Sequence, residues 1–369
     1  MLAGAVGTLA AFGGGGGPGL GAQEVIELPE VPDVEALLVV PAFAVGAADG
    51  EPWEVFGSVD AVGFGPGGDV YVLDGQGYRV VVLDDDGAHV RTFGRQGGGP
   101  GEFQMPRALT VLGDGRVVVL DDARRSYQVL SGDGVLERSV ATDVMRLGAR
   151  AWGELRAHPA QGFLSVYRGM DIDTGDPETS RENGDVIPVL HYRLDGTGEP
   201  VELFRADFPG DPATMVLRPG EQRVEMGPPP AFSPPFAWGV LPDGGAVYTD
   251  GTGFALHVVA PDGRRLRTLR RDLEPRPVTE RDREDERDRR LEALESTGAG
   301  APVTVTEENG VRTVRRDIEM GRRMLERLRF AEVMPVLEDL AVDREGRIWV
   351  QRRGDRVGER GPVEVVTPE

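Results

Sequence analysis

The side chains that could do chemistry are unevenly supplied. All 41 basic residues are arginine and there is no cysteine. Thiolate nucleophiles, Cys-ligated zinc, disulfides and a lipid-bearing N-terminal Cys are therefore excluded, and so are Schiff-base and lysine general-base steps. Four histidines, His89, His158, His191 and His257, are the candidate imidazole ligands. They fall on different kinds of segment, two at turns and two inside apolar runs, so a shared metal is not expected. Asp84–Gly87 (DDDG) lacks the further acidic ligands and distal Glu of an EF-type calcium loop, and reads as an Asp-Gly hairpin turn. Gly94–Gly101 (GRQGGGPG) lacks the Lys-Ser/Thr ending and the following helix of a phosphate loop. No Ser-His-Asp set can be assigned. What remains is a set of arginines and aromatics with one acid: Asp74, Tyr78 and Arg79, then Arg124, Arg125 and Tyr127, then Trp238 and Trp349. Arg and aromatic side chains anchor interfaces. In a chain of net charge −21 they favour a peptide, a sugar or an acidic group as ligand. The plain alternative is that the tyrosines pack between sheets and each Arg pairs with a neighbouring Asp. Neither a metal nor a cofactor is expected.

The elements that must position these residues are short strands. Between Ser58 and Arg107, VDAVGF, DVYVLD, RVVVLD and HVRTFG alternate with Gly/Asp/Pro clusters, the pattern of antiparallel strands joined by tight turns. Ala108 to Val140 repeats it with the turns in the same places. Four strands in a period of roughly 40–50 residues is the spacing of β-propeller blades. The fold class expected is all-β, a propeller of four-stranded blades. Blade one covers Ser58–Arg95 and blade two Arg107–Val140. Blade three begins near Trp152 and resumes at Val189; blades four and five cover Phe236–Arg270 and Leu337–Glu369. Ala36–Gly46 reads as the outermost strand of a blade whose other strands lie elsewhere in the chain.

The stretch FGPGGDVYVLDGQGYRVVVLDDDGAHVRTFGRQGGGPGEFQMP, with DREGRIWVQ near the end, resembles the NHL-type repeat of bacterial six-bladed β-propeller proteins. The resemblance is strongest over blades one and two and faintest over blade three. It implies six blades, with the last blade of this sequence stopping short. The alternative is a five-bladed ring closed by pairing of Ala36–Gly46 with Pro362–Val366. It implies no single activity, because that architecture serves lyases, lactonases and binding modules. A lyase-type site would gather histidines around the channel. A lactonase-type site would need Glu, Asn and Asp at its mouth, for which Glu338, Asp339 and Asn183 are the candidates.

Strand alternation also sorts the loops by end. The turns between first and second and between third and fourth strands are short, as at Gly65–Asp69, Asp84–Gly87, Gly113–Gly115 and Pro261–Gly263. Every long insertion falls on the opposite end: Met170–Pro188, Phe208–Pro235, Asp272–Pro335 and Arg352–Pro362. Long loops gathered on one end of a rigid scaffold are where binding usually resides. Within 272–335, Thr279 is placed to cap a charged helix over Thr279–Glu295, and Val314, Ile318, Leu325 and Leu328 fall near helical spacing.

The first 23 residues, with an apolar segment at Leu2–Phe12 and small residues up to Ala22, resemble a secretory signal peptide that lacks a basic start. No later run approaches 18 apolar residues, so no membrane-spanning helix is expected. The strong negative charge excludes nucleic acid and anionic membrane surfaces as partners. The sequence thus points to residues 24–369 as one propeller domain with a helical insertion at 272–335. It is expected to be a monomer located in the periplasm or outside the cell. The function expected is non-enzymatic binding or scaffolding of a protein, peptide or carbohydrate; the alternative is a metal-assisted lyase or hydrolase.

Overall fold

A computed structural model describes residues 24–29, 41–47, 50–142, 149–160, 162–178, 180, 186–194, 199–207, 213–218, 220–225, 230–251, 253–301, 303–308 and 311–368. The expected leader (1–23), Asn183 and the first half of the Ala36–Gly46 strand lie outside them. The described chain builds five sheets arranged as propeller blades. Blade I is Val59–Phe64, Val70–Asp74, Arg79–Leu83 and His89–Phe93, and blade II is Pro106–Val111, Val117–Asp121, Ser126–Leu130 and Leu136–Ala141. Blade III is Ala149–Ala157, Phe163–Asp173, Val186–Tyr192 and Val201–Asp207, and blade IV is Ala237–Val240, Ala246–Thr249, Phe254–Val259 and Arg265–Arg271. Blade V has three strands, Leu337–Val342, Ile348–Arg353 and Arg360–Val366. The first strands of successive blades lie side by side and form the inner wall.

The blades are held by cores formed between them. Val117 and Val119 pack with Tyr71, Leu73, Val80 and Val82 of blade I. Their neighbours Val118 and Leu120 pack with Phe163, Tyr167 and Leu190 of blade III. A strand buried on both faces must be apolar at every position, which is why VVVL reads as an unbroken run. Equivalent cores join blade III to IV through Trp238 and Tyr248, and blade IV to V through Leu256, Leu340 and Val350.

The other face of blade I is covered differently. Phe43, Val45, Trp53 and Phe56 lie on Val72, Val81 and Leu83, the face that a further blade would cover. Residues 41–47 form no strand, and among the described residues Arg360–Val366 pairs only with Ile348–Arg353. The expected pairing of Ala36–Gly46 with Pro362–Val366 is therefore not made by its described part. Its aromatic and β-branched side chains are used to cover a sheet face instead of extending a sheet edge. A different N-terminal segment adds a strand: Glu24–Glu27 runs parallel to Arg265–Arg271, on the outer edge of blade IV.

The long insertions meet one another. In the third-blade insertion, Met170–Asp173 pairs in parallel with Ala213–Val216, which belongs to the crossing from blade III to IV and forms a hairpin with Glu221–Glu225. That crossing bridges Ala231 to Phe330 in the crossing from blade IV to V. Ala231, Phe232, Val278, Met334, Phe330 and Val357 then share one apolar cluster, bringing in the fifth-blade loop. The largest insertion rises on a two-stranded stalk, Arg276–Pro277 against Val333–Met334. It carries α1 (Glu280–Thr297), the hairpin Val303–Glu308/Val311–Arg316, and α2 (Ile318–Glu326). Thr279 caps α1 in a capping box with Asp282. Val314, expected on the second helix, is in the hairpin. The β-branched alternation VTVT and VRTV decides for strands there, and the Asn309-Gly310 pair between them is a strong hairpin signal in the sequence. The helices approach closely at Gly321, where an added Cβ would stand 2.8 Å from Leu294 Cδ1.

Candidate functional site

The eight residues singled out by type do not form one site. Asp74 ends the second strand of blade I and is 1 % exposed. Its Oδ1 accepts from the backbone N–H groups of Gly57, Ser58 and Gly77 at 2.8–3.1 Å. Arg79 pairs with Asp74 at 3.1 Å and donates to the carbonyls of Pro52 and Val55. Blade II repeats this: Asp121 accepts from the backbone of Gln104, Met105 and Arg124, and Arg124 donates to the carbonyls of Gly99 and Glu102. In both blades, a buried carboxylate and an arginine tie the turn after the second strand to the loop entering the blade. Tyr78 and Arg125 occupy matching positions with φ of 55° and 51°, a left-handed conformation forced on non-glycine residues by these bonds on either side. Tyr78 is buried in the core between blades I and II, whereas Arg125 is exposed.

Tyr127 is fully buried between blades II and III. Its hydroxyl meets Ser165 Oγ and the Tyr167 hydroxyl, both at 2.7 Å, and Tyr167 continues to Tyr192 at 2.5 Å. Burial above all pushes the Tyr127 phenol well above its ordinary pKa, so it stays neutral and serves as a structural donor and acceptor. Trp349 donates to Asp343 at 2.9 Å; that bond, with Arg347, holds Asp343 down to about 2.

Trp238 does lead to a group with chemistry. Its indole N–H donates at 2.7 Å to Glu154, on the innermost strand of blade III. Glu154 is enclosed by protein yet keeps 38 % of its side chain open, with Arg156 at 3.7 Å. Burial raises its pKa; Arg156 and the Trp238 bond oppose that shift and Asp339 on the inner strand of blade V adds to it. A carboxylate whose pKa is raised at the inner wall holds its proton more readily than a free carboxylate and can also bind a ligand hydroxyl. Sequence reasoning missed Glu154 because nothing local distinguishes it; only its facing Trp and Asp, from two other blades, do.

At the end carrying the insertions, Arg353 pairs with Glu338 at 3.4 Å and lies over Phe232, whose φ is 65°. Burial lowers the Arg353 pKa, against the pull of Glu338 and Glu286. Glu286 of α1 is itself buried; burial works against its charge, and bonds from Arg289 and Arg290 at 2.7–2.8 Å outweigh that. Arg283 and Arg287 stack over Phe330 at 5.7 and 4.9 Å. The Nε atoms of Arg353 and Arg283 are buried without an acceptor. This layer is rich in guanidinium and aromatic groups, contributed by residues other than the eight singled out from the sequence.

The histidines fall in separate places with one exception. His158, on the turn after the first strand of blade III, and His191, in its third strand, stack at 4.0 Å. Stacked rings do not chelate one ion. Among the described residues no group of three or more His, Asp or Glu side chains could hold a metal ion. The Glu154–Asp339 pair does not fit one either, since Arg156 stands beside Glu154.

No family model matches the chain. A stretch of 69 residues, 18 % of the chain, is 35 % identical to human NHL repeat-containing protein 3 and spans about a fifth (20 %) of that protein's length. The five radial sheets make the fold a β-propeller, and the matched stretch supports one of NHL type. Similar solved structures include a candidate exported protein of Bacteroides fragilis (10 % identity, 92 % of this chain and 80 % of that one, TM-score 0.40). Another is virginiamycin B lyase of Staphylococcus aureus (10 % identity, 84 % of each chain, TM-score 0.35). Likenesses this distant carry nothing about activity. No described helix is long and apolar enough to cross a membrane.

Proposed function

We propose that this propeller is an exported binding protein that takes an acidic peptide, a protein segment or a carbohydrate on the end bearing the long insertions. The observation that supports it is that loops from separate blades meet: Met170–Asp173 pairs with Ala213–Val216, and Ala231, Phe232, Val278, Phe330, Met334 and Val357 share one apolar cluster. Loops on a scaffold of short turns have no need to pack together for the blades to stand. The layer's exposed and half-buried arginines, with the half-buried Phe330, supply the donors and the aromatic face such ligands need.

The stalk makes the test direct, because Val278 N–H donates to Glu332 C=O and the two ends of the insertion are adjacent. Replacing 280–329 by a two-residue turn should leave a cooperative melt and abolish binding to immobilised panels of acidic peptides and oligosaccharides. Full binding by the excised variant would remove this reading. Export is tested separately, by fractionating cells that express the chain with and without residues 1–23. A second reading, catalysis at the inner wall, draws on Glu154 alone: hydrolysis of an ester or lactone panel that Glu154→Gln abolishes would favour it.

A further inference from the structure

We infer that the helical insertion is a self-association surface: α2 of one copy lies on α1 of a second copy, and the reverse, in a two-fold pair. The outward stripe of α2 is Met320, Arg323 and Met324, continued by Arg327 at the C-cap, on the side away from Gly321, which packs on Leu294 of α1. Met320 and Met324 are 42 % and 44 % exposed. Arg323 and Arg327 are exposed, and neither side chain has a hydrogen bond or ion pair in the described structure. The neighbouring Arg322 is already taken by Glu295 and Glu319.

The outward stripe of α1 complements it. Glu284, Asp288 and Glu292 stand at i, i+4 and i+8, on the side away from the buried Asp282, Glu286 and Leu294. All three are exposed and unpaired among the described residues, while Glu280, Asp285, Glu286 and Glu295 already hold an arginine. Leu291, 36 % exposed, adds an apolar point beside them. Residues four apart on a helix are separated by about 6 Å along its axis. Arg323 and Arg327 therefore match any two successive carboxylates of the α1 stripe. The methionines, unbranched and polarisable, adapt to the surface around Leu291.

A second copy fits better than other occupants because one molecule carries both halves. In a two-fold contact each half is used twice, so the surface is self-complementary. The net charge of −21 opposes association, but at physiological salt charges more than about 8 Å apart are largely screened. The contacting stripes are closer than that. The paired helix faces are small, so the dimer belongs to the weak class of interfaces. This departs from the monomer expected from sequence and is independent of what the propeller binds.

Sedimentation velocity of the full chain, from about 5 to about 200 μM, reads it directly. The expected result is a monomer–dimer equilibrium, weakened several-fold between about 0.1 and about 0.5 M NaCl. Two charge-swapped chains sharpen the test. R323E/R327E makes both stripes acidic, and E284R/D288R/E292R makes both basic. Each should be monomeric alone, and their equimolar mixture should form a heterodimer in which both contacts are restored. All five positions are exposed, and circular dichroism with a melt checks that each variant folds. Three outcomes overturn the proposal. They are a wild-type chain that stays monomeric throughout, leaving the stripe to a different acidic partner; a reversed variant that dimerises like wild type; and a mixture that fails to pair.

Discussion

Asp74 and Asp121 show what a carboxylate does in this fold. Each is buried, 1 % and 0 % exposed, and each collects three backbone N–H groups from two loops. Hydrogen bonds to an ionised acceptor contribute about 1.5–3 kcal/mol, and the donors left behind would be stranded. Asp121→Ala should therefore cost about 3 kcal/mol of stability, read as a lowered urea midpoint with an unchanged slope, and Asp121→Asn less. If Asp121→Ala melted like wild type, the carboxylate would have to be there for a ligand after all. The sequence displays both aspartates in matching places but not the N–H groups that surround them, so a structural acid and a ligand-binding acid look alike there. His257 is a second residue whose environment was not legible. Burial, then Arg265, lowers its pKa from 6.5 to about 4. The unfolded chain therefore takes up the proton first as pH falls. The stability that His257 contributes by staying neutral is complete above about pH 6.5 and is lost progressively down to about pH 4. His257→Gln should reduce the drop in Tm between neutral pH and pH 5; an equal drop in both proteins would mean that other groups set the acid limit.

At the scale of elements, local pattern was read well wherever one interaction dominates. The strands at Val70–Asp74, Arg79–Leu83, Val117–Asp121 and Ile348–Arg353 lie where apolar runs between Gly/Asp turns require them. The start of α1 is fixed by Thr279, whose hydroxyl accepts from Asp282 N–H at 3.2 Å while Asp282 returns a bond to Thr279 N–H at 2.9 Å. Arg276 foremost, with Thr279, holds the Asp282 carboxyl well below its ordinary range, so the cap persists in mild acid. Thr279→Ala should cost about 1 kcal/mol locally. Because α1 belongs to the insertion and forms no blade strand, the loss should appear as faster amide exchange across 280–290 with little change in the global melt. A global fall in Tm would mean that the insertion folds as one unit with the propeller. Where two patterns compete, the reading failed. Val314 sits at a helical interval from Ile318 and also within a β-branched alternation, and pairing with Val305 settles it as a strand.

For the molecule as a whole, the cores count four contacts between five blades. Among the described residues, no apolar core joins blade V to blade I; Arg344 of the blade V turn donates to the Gly65 carbonyl of the blade I turn at 3.1 Å. Along the rest of this seam apolar side chains remain open. Val59, Val62 and Phe64 of blade I are 57 %, 49 % and 66 % exposed, and Val363 and Val365 of blade V are 51 % and 41 %. Among the described residues the last strand of blade V also has no partner on its outer edge, a kind of edge that natural sheets generally blunt with charge or cover. A repeat unit can be read from its own residues, but closure of the ring depends on contacts between its two ends, and no local pattern encodes those. The seam should be where the protein opens and associates first. Amides of 360–366 should exchange well before those of 79–83, whose side chains are packed on both faces. Val363→Lys combined with Val365→Lys should leave Tm within about a degree, since both side chains are solvated already, and should suppress light scattering at high protein concentration. Salt separates this event from pairing of the helical insertions. Apolar association at the seam should persist or grow as ionic strength rises, whereas pairing through Arg323 and Arg327 should weaken. Scattering unchanged by the two lysines would show that the seam is not the surface through which the chain aggregates.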